Sequence, residues 1–303
     1  MEAAFIGHMV IDTVVKNSEM RKALGGTVVY GALAALKHNV RPIIISKVGT
    51  DFPDEYLMFL SRSGVDIAGV RISDKPSTRF KLVYRGEERK LYLMARCEDI
   101  TSFDIKPKSV ENKPVIVGAV IGEITKDALQ YVAEKSSMLA IDVQGFIRHV
   151  GERGEISLAP SERAAEAISL ADVVHAELYE AKAMLGIDDP IKAGKAIIEL
   201  GASIALVTQG MKGGYVVTKE RVLRVPAAST NRIVDPTGAG DVYTTVFTIE
   251  YQKSGDLIHA AAMASAASSF LVEKEGVSGL KPRWQVKRRA EEVLAAIEEL
   301  KET

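Results

Sequence analysis

Short runs of branched apolar residues alternate along the chain with longer segments that have the apolar spacing of a helix. The apolar runs lie at residues 40–46, 115–117, 138–141, 173–174 and 204–207. Continuous apolar strands separated by helices are typical of a parallel sheet whose two faces are both covered. The pattern therefore predicts an α/β fold, doubly wound around a mainly parallel sheet.

The last segment of the chain has the clearest helical period. Its apolar residues recur at spacings of three and four: Val286, Ala290, Val293, Leu294, Ile297 and Leu300. Charged residues fill the positions between them, as expected for a helix with one face on a core. We therefore expect a helix over 286–300 that closes the fold against the sheet.

One stretch, at about residues 67–100, interrupts this alternation. It contains three short β-like runs, at 68–72, 79–84 and 90–94, joined by turns at 73–76 and 85–88. We predict a small antiparallel sheet that stands off the main one as a lid, with an ordinary edge hairpin as the alternative. Its apolar side chains would cover either an active site or a second subunit, and they are Phe80, Leu82, Leu91 and Leu93.

Length and charge limit the functions that are open to the chain. Its 303 residues, 47% hydrophobic and 26% charged, suffice for one large core, so we expect a single domain over 1–303 with the lid as an insertion. A net charge of -1 provides no field that would attract nucleic acid or an anionic membrane. The single cysteine, Cys97, and the lack of a secretory pattern in the first residues favour a cytoplasmic location.

The segment most informative about chemistry is Asp235-Pro236-Thr237-Gly238-Ala239-Gly240-Asp241. It follows an apolar strand end at 233–234 and precedes a segment of helical period. At such a turn the backbone N–H groups of Gly238, Ala239 and Gly240 are uncovered, and the helix dipole adds positive potential. We predict that these three residues hold an anion such as a phosphoryl group.

Two roles are open to Asp241, in the first turn of this helix. It is either an acid that the helix dipole favours or a general base that takes the proton of an attacking hydroxyl. In the second role the neighbouring N–H groups would stabilise the phosphoryl group in transfer. The length of the motif and its place at a strand-to-helix turn favour the general base.

This motif resembles the C-terminal signature of the ribokinase-like (PfkB) carbohydrate kinases. Further similarities follow in the family's order along nearly the whole chain. They are Gly7 with Asp12, Gly25-Gly26 before a helix at 28–37, Val48-Gly49-Thr50-Asp51, Glu177-Leu178-Tyr179-Glu180, and the loop from Thr208 through Gly210 to Gly213. The resemblance implies an ATP-dependent kinase that uses Mg²⁺, with a monovalent cation near Asp235 and Thr237 and with a homodimer formed through the lid.

The resemblance also implies which residues bind the acceptor. Asp12 would hold its hydroxyl groups, and Gly25 and Gly26 would allow it to approach the backbone closely. Arg148 ends a stretch that begins at Asp142 and is similar to an arginine that reaches into the family's active cleft. Its planar fork of N–H donors suits a phosphate or a polyol.

The nucleotide and the metal are assigned in the same way. Thr208, Gly210 and Gly213 match the family's nucleotide loop, and Glu180 matches the glutamate linked to magnesium, which we expect it to hold through water. The five histidines have no metal-ligand spacing, and we assign them packing or surface roles.

Two residues depart from the family pattern. Tyr30 and Glu177 each stand where many of these kinases have asparagine. The ring of Tyr30 would select a cyclic polyol, another sugar or a nucleoside, and the combination with 142–148 is similar to the archaeal branch that includes myo-inositol kinases. We therefore expect transfer of the γ-phosphoryl group of ATP to a sugar or cyclic polyol. The alternatives are a nucleoside kinase and, less favoured, a non-catalytic protein that binds sugar or nucleotide.

Overall fold

The computed structural model describes residues 1–16, 19–85 and 88–300. Its strands are β1 (Glu2–Ile6), β2 (Val10–Lys16), β3 (Glu19–Gly25), β4 (Arg41–Gly49), β5 (Asp66–Ser73), β6 (Arg79–Arg85), β7 (Glu88–Ala95), β8 (Pro114–Val117), β9 (Met138–Asp142), β10 (Arg148–Val150), β11 (Ile156–Leu158), β12 (Val173–Glu177), β13 (Ile204–Thr208), β14 (Gly214–Val217), β15 (Val222–Val225) and β16 (Glu298–Leu300).

The helices of the same residues are α1 (Thr27–Lys37), α2 (Asp54–Ser63), α3 (Pro107–Val110), α4 (Lys126–Lys135), α5 (Gln144–Ile147), α6 (Glu162–Leu170), α7 (Leu178–Leu185), α8 (Pro190–Glu199), α9 (Ala239–Ser254), α10 (Leu257–Leu271) and α11 (Arg283–Ala296). Short 3-10 turns lie at Ser102–Asp104, Gly210–Lys212 and Gly276–Gly279. None of these helices is both long and apolar enough to cross a membrane.

Ten strands form the main sheet, in the order β16-β15-β14-β13-β12-β9-β8-β1-β4-β5. Strands β13, β12, β9, β8, β1, β4 and β5 run parallel, and β14, β15 and β16 continue the sheet in antiparallel pairings. Alternate residues of β1 enter two different cores, Ala3 and Phe5 on one face and Ala4 and Ile6 on the other. A strand that is buried on both faces has to be apolar throughout, which explains the continuous runs in the sequence. The predicted doubly wound fold is confirmed.

The small sheet has four strands, in the order β3-β2-β6-β7. Its β2–β3 and β6–β7 pairings are antiparallel, and β2 pairs with β6 in parallel. The β2–β3 hairpin, which precedes α1, thus joins the sheet predicted from 67–100. Of the predicted turn at 85–88, residues 86 and 87 lie outside the described residues.

The run at 68–72 does not belong to the small sheet, contrary to the prediction. It lies in β5, which follows α2 and pairs in parallel with β4 at the edge of the main sheet. The pairing is close, because a Cβ on Gly69 would stand 2.6 Å from the carbonyl oxygen of Ile44. Period-two alternation identifies a strand but not the sheet that receives it, and a strand after a βα unit tends to return to the same sheet.

Two further predictions in the last third of the chain were wrong. The last helix ends at Ala296, and the next residues form β16, whose Glu298 and Glu299 make ion pairs with Arg224 and Arg221 of β15. The helical spacing of apolar residues therefore continues only by coincidence into an edge strand, which cross-strand ion pairs stabilise. Residues 233–234 are likewise not in a strand but in the connection that leads to α9.

Candidate active site

The carboxyl ends of three neighbouring parallel strands provide one wall of the site. Asp142 ends β9, Glu177 ends β12 and Thr208 ends β13. The strand register places His175 beside Asp142 and Glu177 beside Thr208. In open α/β sheets this edge is where ligands bind.

The amino end of α9 faces this wall. Gly238 precedes the helix in a left-handed conformation, with φ of 83°, which an L side chain rarely adopts. Within the part of the chain that the structure describes, the N–H groups of Gly238 and Gly240 have no protein acceptor, whereas the N–H of Ala239 donates to the carbonyl of Pro236 at 3.2 Å. Two of the three predicted anion donors are thus uncommitted.

Asp241 lies in the first turn of α9 and is 8% exposed. Burial and the nearby charge of Asp142 raise its pKa to about 7, although Thr27, which hydrogen-bonds to it, acts in the opposite direction. The side-chain amide of Gln144 also donates to Oδ1 of Asp241, at 3.3 Å. A carboxylate with a pKa near neutrality is well suited to accept a proton in catalysis.

His175 is buried between the strand ends that form the wall of the site and the amino end of α9. Its Nδ1 donates to Oδ2 of Asp142 at 2.8 Å, and its Nε2 lies 3.0 Å from the hydroxyl of Thr208. Burial lowers the pKa of His175, but the adjacent carboxylate of Asp142 outweighs this, so that the pKa is raised overall. A Cβ on Gly240 would stand 2.9 Å from Cε1 of His175, which means that the imidazole packs against the backbone of α9.

One cavity, of about 140 Å³, lies between the small sheet and this wall. Asp12 projects into it from β2, so this carboxylate comes from the small sheet rather than from the mouth of the main one. The backbone of Gly25 packs against the Asp12 side chain, whose Cγ would stand 2.9 Å from a Cβ on Gly25, and Gly26 precedes α1 with φ of 99°. Tyr30 closes the cavity from the next turn of α1, and burial together with Asp235 raises its pKa.

Arg148 also borders this cavity, but protein groups hold its guanidinium. Nη1 donates to the carbonyl of Val120 at 2.9 Å, and Nη2 donates to Oε1 of Gln144 at 2.6 Å. The guanidinium carbon lies 5.7 Å from the ring centroid of Phe80, in β6 of the small sheet. Arg148 thus connects the small sheet with the residues around Asp241.

A second cavity, of about 230 Å³, lies on the other side of the α9 terminus. Thr208, Gly210 and Gly213 border it, together with apolar residues such as Val225 and Val272. Both cavities include Ala239 and Gly240 in their linings. The amino end of α9 is therefore the boundary between the two.

Glu180 is buried beside the first cavity and raises the question of a metal. Its Oε2 accepts the N–H of Glu177 at 2.9 Å in a reciprocal capping arrangement at the start of α7, and burial with the charge of Asp142 raises its pKa to about 7. The described ranges contain no group of three or more side chains able to hold a metal alone. This donor set fits Mg²⁺ that is bound mainly by phosphate oxygens and waters, which is the usual mode for this ion with nucleotides.

A sequence model described as the pfkB family carbohydrate kinase matches residues 3–284. This chain belongs to the PfkB family. It is therefore a kinase of the class that acts on sugars and nucleosides. A cytidine kinase of Thermococcus kodakarensis is 24% identical to it over 280 residues, which are 91% of this chain and 98% of that protein.

Solved structures agree with the PfkB assignment at the level of the fold. A structure from the conversion of a pyrophosphate-dependent myo-inositol-1 kinase into a myo-inositol-3 kinase by two substitutions superposes with a TM-score of 0.82 at 22% identity, over 96% of this chain and 99% of the other. The ribokinase of Arabidopsis thaliana, solved with ribose and ATP, gives a TM-score of 0.78 at 18% identity over 95% and 98% of the two chains.

In this PfkB kinase the residues predicted from sequence fall around the two cavities. The first is lined by Asp12, Gly26, Tyr30, Arg148, Glu180, Gly238, Ala239, Gly240 and Asp241, and the second by Thr208, Gly210 and Gly213. Gly25 supports Asp12 without lining either. Sequence reasoning missed Thr27, Gln144 and His175, which hold the acidic residues. His175 stands two residues from Glu177 on a strand that ends in the site, and that position was the available signal.

Proposed function

We propose that this PfkB kinase transfers the γ-phosphoryl group of ATP to a hydroxyl of a sugar or cyclic polyol. The observation that carries the proposal is the position of Asp241, buried at the amino end of α9 where two cavities meet. An acceptor in the first cavity and a nucleotide in the second would bring hydroxyl and phosphate together at this carboxylate.

Asp241 would act as the general base. Its pKa of about 7 leaves a large ionised fraction at neutral pH and still gives a base strong enough to take a proton as the oxygen attacks. The N–H groups of Gly238 and Gly240 would donate to the phosphoryl group, whose negative charge the helix dipole also favours. The phosphoryl group passes from ATP to the acceptor oxygen, ADP leaves, and the proton goes to Asp241.

Mg²⁺, when bound with ATP, supplies charge neutralisation for the phosphates. Glu180 would hold it through water, since one of its oxygens already accepts the Glu177 N–H. Asp12 would orient the acceptor, and the small sheet would exclude water that otherwise hydrolyses ATP. Asp235 and Thr237, next to the same terminus, would hold a monovalent cation.

A second candidate, a nucleoside acceptor, is supported by a larger cavity of about 1000 Å³ beside the first. Asp12 and Tyr30 border both, and Tyr56, Phe59 and Tyr84 line the larger one. Aromatic faces of this kind suit the flat base of a nucleoside, which a bare polyol lacks. The acceptor would then place its ribose near Asp12 and its base toward α2.

The test is ADP formation by the purified protein with Mg-ATP and a panel of pentoses, hexoses, inositols and nucleosides. We expect turnover with at least one acceptor and its loss in Asp241→Asn. Turnover with nucleosides alone would select the second candidate. Ligand binding without turnover by any acceptor would refute the proposed phosphoryl transfer and favour a binding role, and a fully active Asp241→Asn variant would refute the role of the base.

A further inference from the structure

The side chain of Gln144 is held from both ends. Its Oε1 accepts from Nη2 of Arg148 at 2.6 Å, and its Nε2 donates to Thr27 Oγ1 at 3.2 Å and to Asp241 Oδ1 at 3.3 Å. A guanidinium only donates hydrogen bonds and an ionised carboxylate only accepts them. The amide can satisfy both neighbours in one orientation only, with its oxygen toward Arg148 and its NH₂ toward Asp241.

Arg148 is fixed in turn by two different parts of the molecule. Its second N–H group donates to the carbonyl of Val120, and this loop is anchored by the buried Glu123, which accepts the N–H groups of Val120 and Ile121 at 2.8–3.0 Å. On its other side Arg148 faces the ring of Phe80, which is 3% exposed. The guanidinium is thus clamped between the body of the protein and the small sheet.

Phe80 belongs to a small apolar cluster of its own. The cluster joins Phe80 and Leu82 of the small sheet to Val120 and Ile121 of the loop that holds Arg148. A contiguous series of contacts therefore runs from the small sheet through Arg148 and Gln144 to the carboxylate of Asp241.

We propose that Gln144 is the positioning residue of the base Asp241, that Arg148 fixes the orientation of its amide, and that Phe80 couples this arrangement to the small sheet. This inference rests on the proposed function. It gives Arg148 a role different from the acceptor binding that the family resemblance implies. The amide N–H stabilises the ionised carboxylate and fixes the oxygen that receives the proton.

The experiment compares the wild type with Gln144→Leu, which keeps the size of the side chain and removes the N–H donor. We expect kcat to fall by about 10- to 100-fold, because a small displacement of a catalytic group has effects of this size, while the KM for acceptor and ATP stays within about threefold. The acid limb of the pH profile of kcat should move to higher pH. Gln130→Leu, at an exposed position of α4, is the matched control and should behave as wild type.

Among the residues that the structure describes, charged or titratable groups that face Asp241 include Asp142 of β9, His175 of β12, Arg148 of β10 and Tyr30 of α1. All of them stay in Gln144→Leu, so the shift of the acid limb reports the loss of the amide. Arg148→Lys tests whether Arg148 fixes the orientation of the Gln144 amide. It also serves as the test of the proposal if Gln144→Leu does not fold. Lysine retains the charge but not the two-pronged contact, so kcat should fall and the acid limb should shift in the same direction.

The outcomes separate the two proposals. If the wild type turns over no acceptor, the proposed function fails. If the wild type is active and Asp241→Asn is not, but Gln144→Leu retains kcat and the wild-type pH profile, the positioning role of Gln144 is refuted. If Arg148→Lys raises the KM for the acceptor and leaves kcat unchanged, Arg148 binds the acceptor and the proposed chain of contacts is wrong. The link to the small sheet is tested by adding Phe80→Leu to the wild type and to Arg148→Lys. The substitution should lower kcat in the wild type and should not lower kcat further in Arg148→Lys. Equal losses of kcat in the two backgrounds would refute the coupling through Phe80.

Discussion

The ring of Tyr30 packs directly against Gly238, the residue from which α9 begins. A Cβ on Gly238 would stand 2.6 Å from Cε1 of Tyr30, closer than a Cβ atom approaches a non-bonded carbon in folded proteins. The first turn of α9, which carries the N–H donors and Asp241, therefore packs on an aromatic ring of α1.

We expect Gly238→Ala to lower kcat by about 100-fold, because the clash displaces the amino end of α9 from the site. Gly255→Ala is a matched control at the other end of the same helix. Gly255 also has a positive φ, of 68°, but no atom lies within 4 Å of an added Cβ. Both variants should lose about 1–2 kcal/mol of stability from backbone strain, and only the first should lose activity. Equal kcat values for the two variants would contradict the proposed role of this packing.

The pH dependence of turnover follows from the pKa of Asp241. A general base works only when ionised, so kcat/KM should fall as the pH drops below about 7, the pKa of Asp241 in the absence of ligands. A profile measured from pH 5 to 9 under subsaturating acceptor checks this. An acid limb at pH 4, where an ordinary aspartate titrates, would show that Asp241 is not the group that controls the rate.

The same raised pKa has a consequence for stability. Above pH 7 the folded protein has to hold Asp241 ionised next to Asp142, which costs free energy that the unfolded chain avoids. We expect Asp241→Asn to be inactive but to melt at least about 2 °C above the wild type at pH 8. Below its ordinary pKa the Asp241 carboxyl is protonated in both the folded and the unfolded protein. The higher melting temperature of Asp241→Asn relative to the wild type should therefore decline toward pH 4. Thermal melts at the two pH values test the sign, and a destabilised variant at pH 8 would contradict it.

Gly25 supports the carboxylate of Asp12 by having no side chain. A Cβ there would lie 2.9 Å from Cγ of Asp12 and closer still to Oδ2. We expect Gly25→Ala to raise the KM for the acceptor by about tenfold or more, the size of a lost hydrogen bond to a charged group, with the KM for ATP unchanged. Gly151→Ala, where the nearest atom would be at 3.4 Å, is the control. A rise in the KM for ATP alone would place Asp12 with the nucleotide instead.

Glu250 lies far from the cavities, so a substitution there tests the stability of the fold and not the catalytic chemistry. It is buried at the end of α9 and accepts hydrogen bonds from His38 at 3.0 Å and Arg283 at 2.7 Å, with Lys253 at 3.6 Å. Burial raises its pKa, but these partners outweigh burial and hold the pKa well below the usual range. Glu250→Gln should reduce the free energy of unfolding at pH 7 by about 3 kcal/mol, because the partly buried cations Arg283 and Lys253 lose the buried counter-charge between them.

The sign of the pH effect is opposite to that of Asp241. A depressed pKa stabilises the fold above the ordinary value of 4.5, and this contribution is lost as the pH falls below it. Urea unfolding at pH 7 and pH 4 should thus show a smaller difference between wild type and Glu250→Gln at pH 4. Glu199→Gln, exposed at the end of α8, should match the wild type at both.

The sequence made the main sheet and the amino end of α9 predictable, because buried parallel strands have to be apolar on both faces and a helix start that exposes N–H groups needs small residues. It did not reveal that β5 joins the main sheet, since alternation carries no information about the partner strand. His175 and Gln144 were also missed. Their roles depend on hydrogen bonds to Asp142 and Asp241 that the folded chain alone creates.

The position of Asp12 on β2 has a consequence for how substrate choice and closure are related. The carboxylate that would bind the acceptor is carried by the same strand that pairs with β6 in the small sheet. On the proposed function, an acceptor that binds Asp12 would contact the small sheet that covers its own binding site, so that recognition and enclosure would occur together. A molecule without a hydroxyl at that place would lose the enclosure as well as the hydrogen bond. The kinase would therefore discriminate between acceptors more strongly than one contact alone would allow.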